Sequence, residues 1–188
     1  MTRDEALILL REYTRSESLL KHAFAVEAAM RHYAVYFGQD ANQWGLTGLI
    51  HDFDYERWPN PPEHTREGAR ILRERGMDEE VIGAILSHAT WNWDQYPLDR
   101  PLRKTLFAVD ELCGFTTAVA YVRPEKLAGM APSSVRKKMK QKSFAAAVKR
   151  EDIEKGAELV SLPLDVHIQN VITAMQGVAS ELGLGQAA

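Results

Sequence analysis

Apolar residues recur along this chain at intervals of three and four. No stretch alternates apolar and polar positions between β-branched runs joined by a hairpin signal, so the pattern predicts an all-α fold. The longest stripe is Leu19, Ala23, Val26, Met30, Tyr33 and Phe37, on a helix expected to begin near Ser16 and stop at Gly38. Thr2 and Glu5 have capping-box spacing, which predicts an earlier helix from about residue 3 to Tyr13. A third helix is expected from about Ala41 to Phe53, because Trp58-Pro59-Asn60-Pro61-Pro62 forbids continuation. A fourth runs from Glu63 to Arg75 and closes at Gly76, and Asp78 then caps a fifth that ends at His88. Thr90 to Asp99 reads as an aromatic loop, after which Pro101 opens a long apolar helix to about Val122, before Pro124. The remainder, to Leu182, predicts three or four shorter helices, and Gly183 to Ala188 a frayed tail.

A length of 188 residues suits one domain with a sizeable core, and 45% hydrophobic with 26% charged residues is a globular composition. The net charge of −3 gives no overall attraction to nucleic acid, which makes nucleic acid an unexpected partner. The run Arg136-Lys137-Lys138-Met139-Lys140-Gln141-Lys142 is locally basic, and its start after Pro132-Ser133-Ser134 predicts a solvated helix. One cysteine, Cys113, excludes an intrachain disulfide and a thiolate zinc site. The charged N-terminal segment lacks a secretory core, and no uncharged run approaches the roughly 18 residues that span a bilayer. A cytoplasmic location without membrane contact is the resulting expectation, and self-association is left open.

Candidate chemistry begins with His51-Asp52, at the end of the apolar stretch Leu46-Thr47-Gly48-Leu49-Ile50. Burying an ionised carboxylate costs several kcal/mol unless a cation or hydrogen bonds replace the lost water. Imidazole and carboxylate are also the ligand set of several divalent ions. Asp110 has Leu106, Phe107, Cys113 and Gly114 as its helical neighbours. His88 follows the stripe of Ala84 and Ile85, and His22 lies between Leu19 and Val26. Each histidine alone would read as a satisfied core residue, and Asp110 alone as a cap or a ligand. Together they place three of six histidines and two aspartates on inward faces of four predicted helices, which a bundle can converge on one point. His64, at the mouth of the fourth helix, is placed to join them.

The order His22, His51-Asp52, Asp110 resembles the H…HD…D signature of the HD superfamily of metal-dependent phosphohydrolases, over about His22 to Val122. The HDIG subgroup is the most similar in local sequence. His64 and His88 resemble the intermediate histidines of its binuclear branches, among them the HD-GYP phosphodiesterases and the mixed-valence di-iron oxygenases. The chain departs from HDIG at Asp54, which stands where that subgroup has glycine, and it has no GYP element, which argues against cyclic-dinucleotide hydrolysis. The resemblance implies an HD-domain helical bundle with a metal-binding core over about 16–122 and a C-terminal helical extension over about 124–182. It also implies that His22, His51, Asp52 and Asp110 hold one divalent ion (Mn, Fe, Co, Ni, Mg or Zn). Asp52 would bridge to a second ion completed by His64 and His88, with a mononuclear site as the fallback.

Metal-activated water would then hydrolyse a phosphomonoester or phosphodiester of a small molecule such as a nucleotide. Asp52 would be central to that catalysis, and Asp54 or Glu56 would be the acid for the leaving group. The competing readings are a di-iron oxygenase and a non-catalytic, metal-dependent nucleotide sensor. Arg103 and Lys104, with Arg100, are the candidate phosphate-binding cations ahead of Asp110. Trp91 and Trp93 are candidates for stacking on a base, whereas Tyr55, Trp58 and Tyr96 read as a hydrophobic rim. His32 and His167 fall outside the expected site.

Overall fold

A computed structural model describes residues 1–185 and shows α-helices joined by short turns, with no strand among the described residues. α1 (Arg3–Tyr13) starts at a complete capping box, in which Glu5 N–H donates to the Thr2 hydroxyl and Thr2 N–H to the Glu5 carboxylate. α2 (Glu17–Tyr36) and α3 (Ala41–Ile50) lie side by side. A Cβ at Gly48 would stand 2.8 Å from the Val26 carbonyl, so only glycine lets the two backbones approach this closely. α4 (Glu63–Glu74) and α5 (Glu79–His88) follow, and a single 3-10 turn (Thr90–Asn92) leads towards α6 (Pro101–Tyr121). Three shorter helices complete the described chain: α7 (Pro132–Met139), α8 (Arg150–Leu159) and α9 (Leu164–Gly177).

α6 is the central element. Leu102, Leu106, Val109, Leu112, Phe115 and Val119 are almost wholly buried at helical spacing, each contributing roughly 1.5–3 kcal/mol. Asp110 sits at the edge of this stripe, its side chain 21% exposed. Two apolar clusters form the core. One gathers α2, α6 and α9, the other α1, α3, α4 and α5, and α2, α3 and α5 contribute to both. Helices that span both clusters are held from two sides, which is where a site needing fixed side chains is best supported.

Two expectations about element ends change. The third helix stops at Ile50 rather than Phe53, and residues 51–57 continue as successive turns. There the Thr14 hydroxyl binds the Phe53 carbonyl, and Asp54 binds the amides that open α4. The chain at Gly183–Gly185 is packed rather than frayed: Leu184 is buried, its N–H donates to the Ala179 carbonyl, and its carbonyl accepts from Leu127. The rest of the expected tail, residues 186–188, lies outside the described residues. Among the described residues no helix is long and apolar enough to cross a membrane.

Candidate metal centre

α2, the end of α3, the start of α4, the end of α5 and the middle of α6 each deliver one or two polar side chains to the same place. His22 Nε2 lies 2.9 Å from Asp110 Oδ1, and His51 Nε2 lies 3.5 Å from the same oxygen. Asp52 divides its two oxygens. Oδ2 faces His51 Nε2 at 3.6 Å, while Oδ1 faces His88 Nε2 at 3.1 Å and His64 Nε2 at 3.3 Å. The donor atoms fall into two triads, His22/His51/Asp52 and Asp52/His64/His88, each within 4.8 Å of one another, with Asp52 common to both. Two ligands about 2.1 Å from one ion stand about 3.0 Å apart on an octahedral edge and about 3.4 Å apart on a tetrahedral one. The observed separations bracket those values.

Hydrogen bonding on the far side of the rings orients them. His51 Nδ1–H donates to the Gly48 carbonyl at 2.8 Å and His88 Nδ1–H to the Ile85 carbonyl at 2.6 Å. His64 Nδ1–H donates to Asp54 Oδ1 at 3.2 Å. Carbonyl and carboxylate oxygens only accept, so each of these rings carries its proton on Nδ1 and turns Nε2 inward, the outer arrangement typical of metal-bound histidine. The inward atoms are poorly served by the protein itself. His51 Nε2 and Asp52 Oδ1 are buried and make no well-directed hydrogen bond. Such atoms cost roughly 1–3 kcal/mol each, a penalty that a divalent cation would remove.

The electrostatics are those of an ion cage balanced by protons. Burial opposes charging His51, yet Asp52 and Asp110 outweigh it and push the ring up to about 9. Burial likewise opposes charging His64, and Asp52 with Asp54 drives it to about 10. Asp52 and Asp110 are held well below the usual carboxylate range, because the surrounding histidines outweigh the burial that would raise them. The residues therefore fit divalent metal, with His22, His51 and Asp52 as one candidate group, Asp52, His64 and His88 as another, and Asp110 beside the first.

A family model for the HD domain matches residues 19–152, most of the chain, on a helical framework that carries this cluster. The chain belongs to the HD domain family. HD domains form a metal-dependent superfamily of hydrolase type, and the two His/Asp triads of this member are its candidate metal-binding groups. No solved structure matches the chain significantly.

Around the cluster, this HD domain opens a cleft of about 260 Å³. Asp52, His64, His88 and Asp110 lie in its wall with Tyr55, Trp91, Phe107, Glu111, Lys149 and Asp152. His51 is sealed beneath, with a side-chain exposure of 0%, whereas Asp52 and Asp110 are 22% and 21% exposed and reach the opening. Tyr55 and Trp91 are exposed, and their rings stand 5.1 and 5.9 Å from that of His64. Burial, with Asp110 and Asp152 nearby, pushes the Glu111 carboxyl up to about 7.

Four expected site residues are placed elsewhere. Asp54 is 1% exposed, and its second oxygen accepts from Thr65 N–H at 2.8 Å and Gly68 N–H at 3.0 Å. A Cβ at residue 68 would stand 2.8 Å from that oxygen, so Gly68 is what admits the carboxylate. Thr65 holds φ of +68° there, a strained backbone for a β-branched residue that costs on the order of 1–3 kcal/mol. Asp54 is thus a positioning group behind His64 rather than an acid in the cleft. Glu56 is exposed and accepts from Arg15 and Ser16 N–H, closing the open start of α2 in place of Ser16, whose own side chain makes no cap. Arg103 is buried against Gly83 and donates to the Pro97 carbonyl and Asp99, while Lys104 lines a different cavity beside Phe37 and Val160. Neither contributes to the wall of the cleft. Trp93 is also structural: its indole N–H donates to the Ser87 carbonyl and its ring packs on Phe107.

His167 takes no part in the centre. It bridges Tyr33 and the Ala108 carbonyl in the core, where burial lowers it to about 4. Glu111, Lys149 and Asp152 are the cleft residues that sequence reasoning overlooked. Glu111 gave a weak signal as the neighbour of Asp110, but residues 149 and 152 reach the site only through the packing of α8 on α6.

Proposed function

We propose that this HD domain is a phosphohydrolase that binds two divalent ions and cleaves a phosphomonoester or phosphodiester of a small molecule, with nucleotides the leading class. The observation that carries this reading is the division of the Asp52 oxygens between two histidine groups at the floor of an open cleft. A structural metal site would be closed on all sides, whereas here two ligand carboxylates are partly accessible. Divalent ions bound there would supply Lewis-acid charge to a phosphoryl group and lower the pKa of water towards neutrality.

The protein's own contributions are orientation and proton handling. Gly48, Ile85 and Asp54 fix the three rings through Nδ1, leaving nothing to reorganise when a ligand binds. Glu111, in the cleft wall next to Asp110, is the carboxyl placed to give a proton to a leaving oxygen, the role that Asp54 and Glu56 cannot reach. Tyr55 and Trp91 offer flat apolar faces beside the metal ligands on which a base can stack.

The test is metal content per chain in protein purified without chelator or affinity metal, followed by phosphatase and phosphodiesterase assays on the same sample. About two metals per chain, with hydrolysis stimulated by manganese, cobalt or nickel, is expected. Two irons with oxygen consumption and no hydrolysis would assign the centre to the oxygenase branch, tight nucleotide binding without turnover would make it a sensor, and absence of metal would overturn all three readings.

A further inference from the structure

A second concavity adjoins the cleft at Lys149. Lys149 lines the cleft and also lines this neighbouring groove of about 450 Å³, formed by the α7–α8 connection with Met139, Lys142, Val148 and Glu151. One side chain is thus the shared wall of two concavities. α7, the connection and the first residue of α8 are charged in one sense only: from Ser133 to Arg150 the sequence holds seven Lys and Arg residues and no carboxylate, in a chain whose net charge is −3. Such a concentration beside a catalytic cleft focuses potential on anions approaching from that side.

The loop is built rather than loose. The Arg150 guanidinium donates to the carbonyls of Phe144, Ala145 and Val148 and lies 4.7 Å from the Phe115 ring centroid. Lys138 sits over the Phe144 ring, and Arg136 pairs with Asp165. Their charges are committed to holding the loop. Lys142 and Lys149 are exposed and face the groove. Within the cleft, Asp152 stands on the same wall as Lys149, and the Lys149 ammonium is the cationic side chain that wall offers an entering anion.

We propose that Lys142 and Lys149 form a second anion subsite, and that the substrate carries at least one phosphate beyond the group held at the His/Asp cluster, lying past Lys149 in the groove. This rests on the phosphohydrolase reading and narrows its substrate to a compound with successive phosphates, either a nucleoside polyphosphate or the end of a short oligonucleotide.

The experiment is calorimetric titration of the metal-loaded protein with thymidine monophosphate, a methylene-bridged thymidine triphosphate and a phosphorothioate pentathymidylate. Wild type should bind one of the two longer probes at least ten times more tightly than the monophosphate, and the preferred probe identifies the source. Lys142→Glu, which alters only the groove, should remove that preference while changing monophosphate affinity less than about twofold, and should lower the salt slope of log affinity by about one. Lys149→Ala should weaken all three probes, and Arg11→Glu, an exposed charge on α1, none. A wild type that binds the longer probes no better than the monophosphate, or a Lys142→Glu protein that keeps the preference, would overturn the subsite. If the phosphohydrolase reading were the part at fault, turnover or metal content would be missing while the Lys142-dependent preference persisted.

Discussion

Asp54→Asn separates the role seen in the structure from the one expected of a carboxylate two residues after a His-Asp pair. In the native protein one Asp54 oxygen accepts from His64 Nδ1–H at 3.2 Å and the other from the amides of Thr65 and Gly68 at 2.8 and 3.0 Å. Asparagine matches the shape but has one acceptor. If its oxygen keeps the two amides, its NH2 group faces His64 Nδ1, and two donors then oppose each other unless the ring moves its proton to Nε2. That proton sits on the atom that would bind metal. Losing an outer-shell partner of this kind weakens metal binding by roughly 10–100-fold, and losing one charge-assisted hydrogen bond costs about 1.5–3 kcal/mol of stability. In a chain of 188 residues that corresponds to a melting temperature lower by about 3–12 °C. The assay pairs metal titration with a pH–rate profile. The expected outcome is one tightly held ion per chain, a second recovered only at raised metal concentration, and turnover restored with it. Full metal content with turnover lost and the basic limb of the pH profile abolished would return Asp54 to the role of acid and refute the reasoning.

The other predictions concern the second triad, the acid and the protons. His88→Ala should leave the His22/His51/Asp52/Asp110 group intact and halve the bound metal, read by elemental analysis; unchanged stoichiometry would reduce the centre to one ion. Glu111→Gln should retain both ions and lower kcat by about 10²–10⁴-fold for substrates with poor leaving groups, with little loss for activated aryl phosphates. Equal losses on both substrate types would remove Glu111 from proton transfer. In chelated protein, His51 and His64 have pKa values raised above the ordinary value of 6.5, so the stability they contribute is complete below about pH 6.5 and is lost as pH rises through 9 to 10. Asp52 and Asp110 behave oppositely, contributing above their ordinary value of 3.8 and losing that contribution only well below it. Melting temperature in chelator should therefore fall between pH 6.5 and 10, while metal affinity rises by about one to two log units per pH unit up to about 9, as each ring must surrender its Nε2 proton. A flat affinity profile would show that the rings are neutral before the metal arrives.

Helix order and the convergence of His22, His51, Asp52, His88 and Asp110 were legible because both are consequences of periodicity, and His64 was joined to them by its place at the mouth of the fourth helix and by the family resemblance. A histidine or aspartate on an apolar stripe must point where the stripe points, and five such positions on successive helices of one bundle have few places to meet. What periodicity does not carry is what lies behind or across from a residue. Asp54 belongs to a turn in which Gly68 and the left-handed backbone at Thr65 make room for a buried carboxylate, and nothing in His51-Asp52-Phe53-Asp54 distinguishes that from a loop acid facing solvent. Glu56 looked equally available, yet the open start of α2, some forty residues earlier in the chain, uses it as a cap. Arg103 and Lys104 were credited for their nearness in sequence to Asp110. Arg103 lies two turns before Asp110 on nearly the same helical face, roughly 10 Å along the axis, where it meets Gly83 and Asp99 instead of the cleft.

The overlooked cleft residues share one physical cause. Lys149, Asp152 and the loop before them belong to the part of the chain after the last metal ligand, which read as packing around a finished site. α8 is in fact one of the closest neighbours of α6, and Gly156 marks how close, since a Cβ there would stand 2.8 Å from the Ala108 Cα. That contact, two residues from Asp110, brings the start of α8 to the cleft and puts Lys149, the last residue of the basic loop, in the same wall as Asp52 and Asp110. The division of labour follows from it. The N-terminal helices and α6 hold the atoms that would bind metal, and α8 adds Lys149 and Asp152 to the cleft wall. Metal binding should therefore survive changes in the α7–α8 loop that alter which anions are accepted.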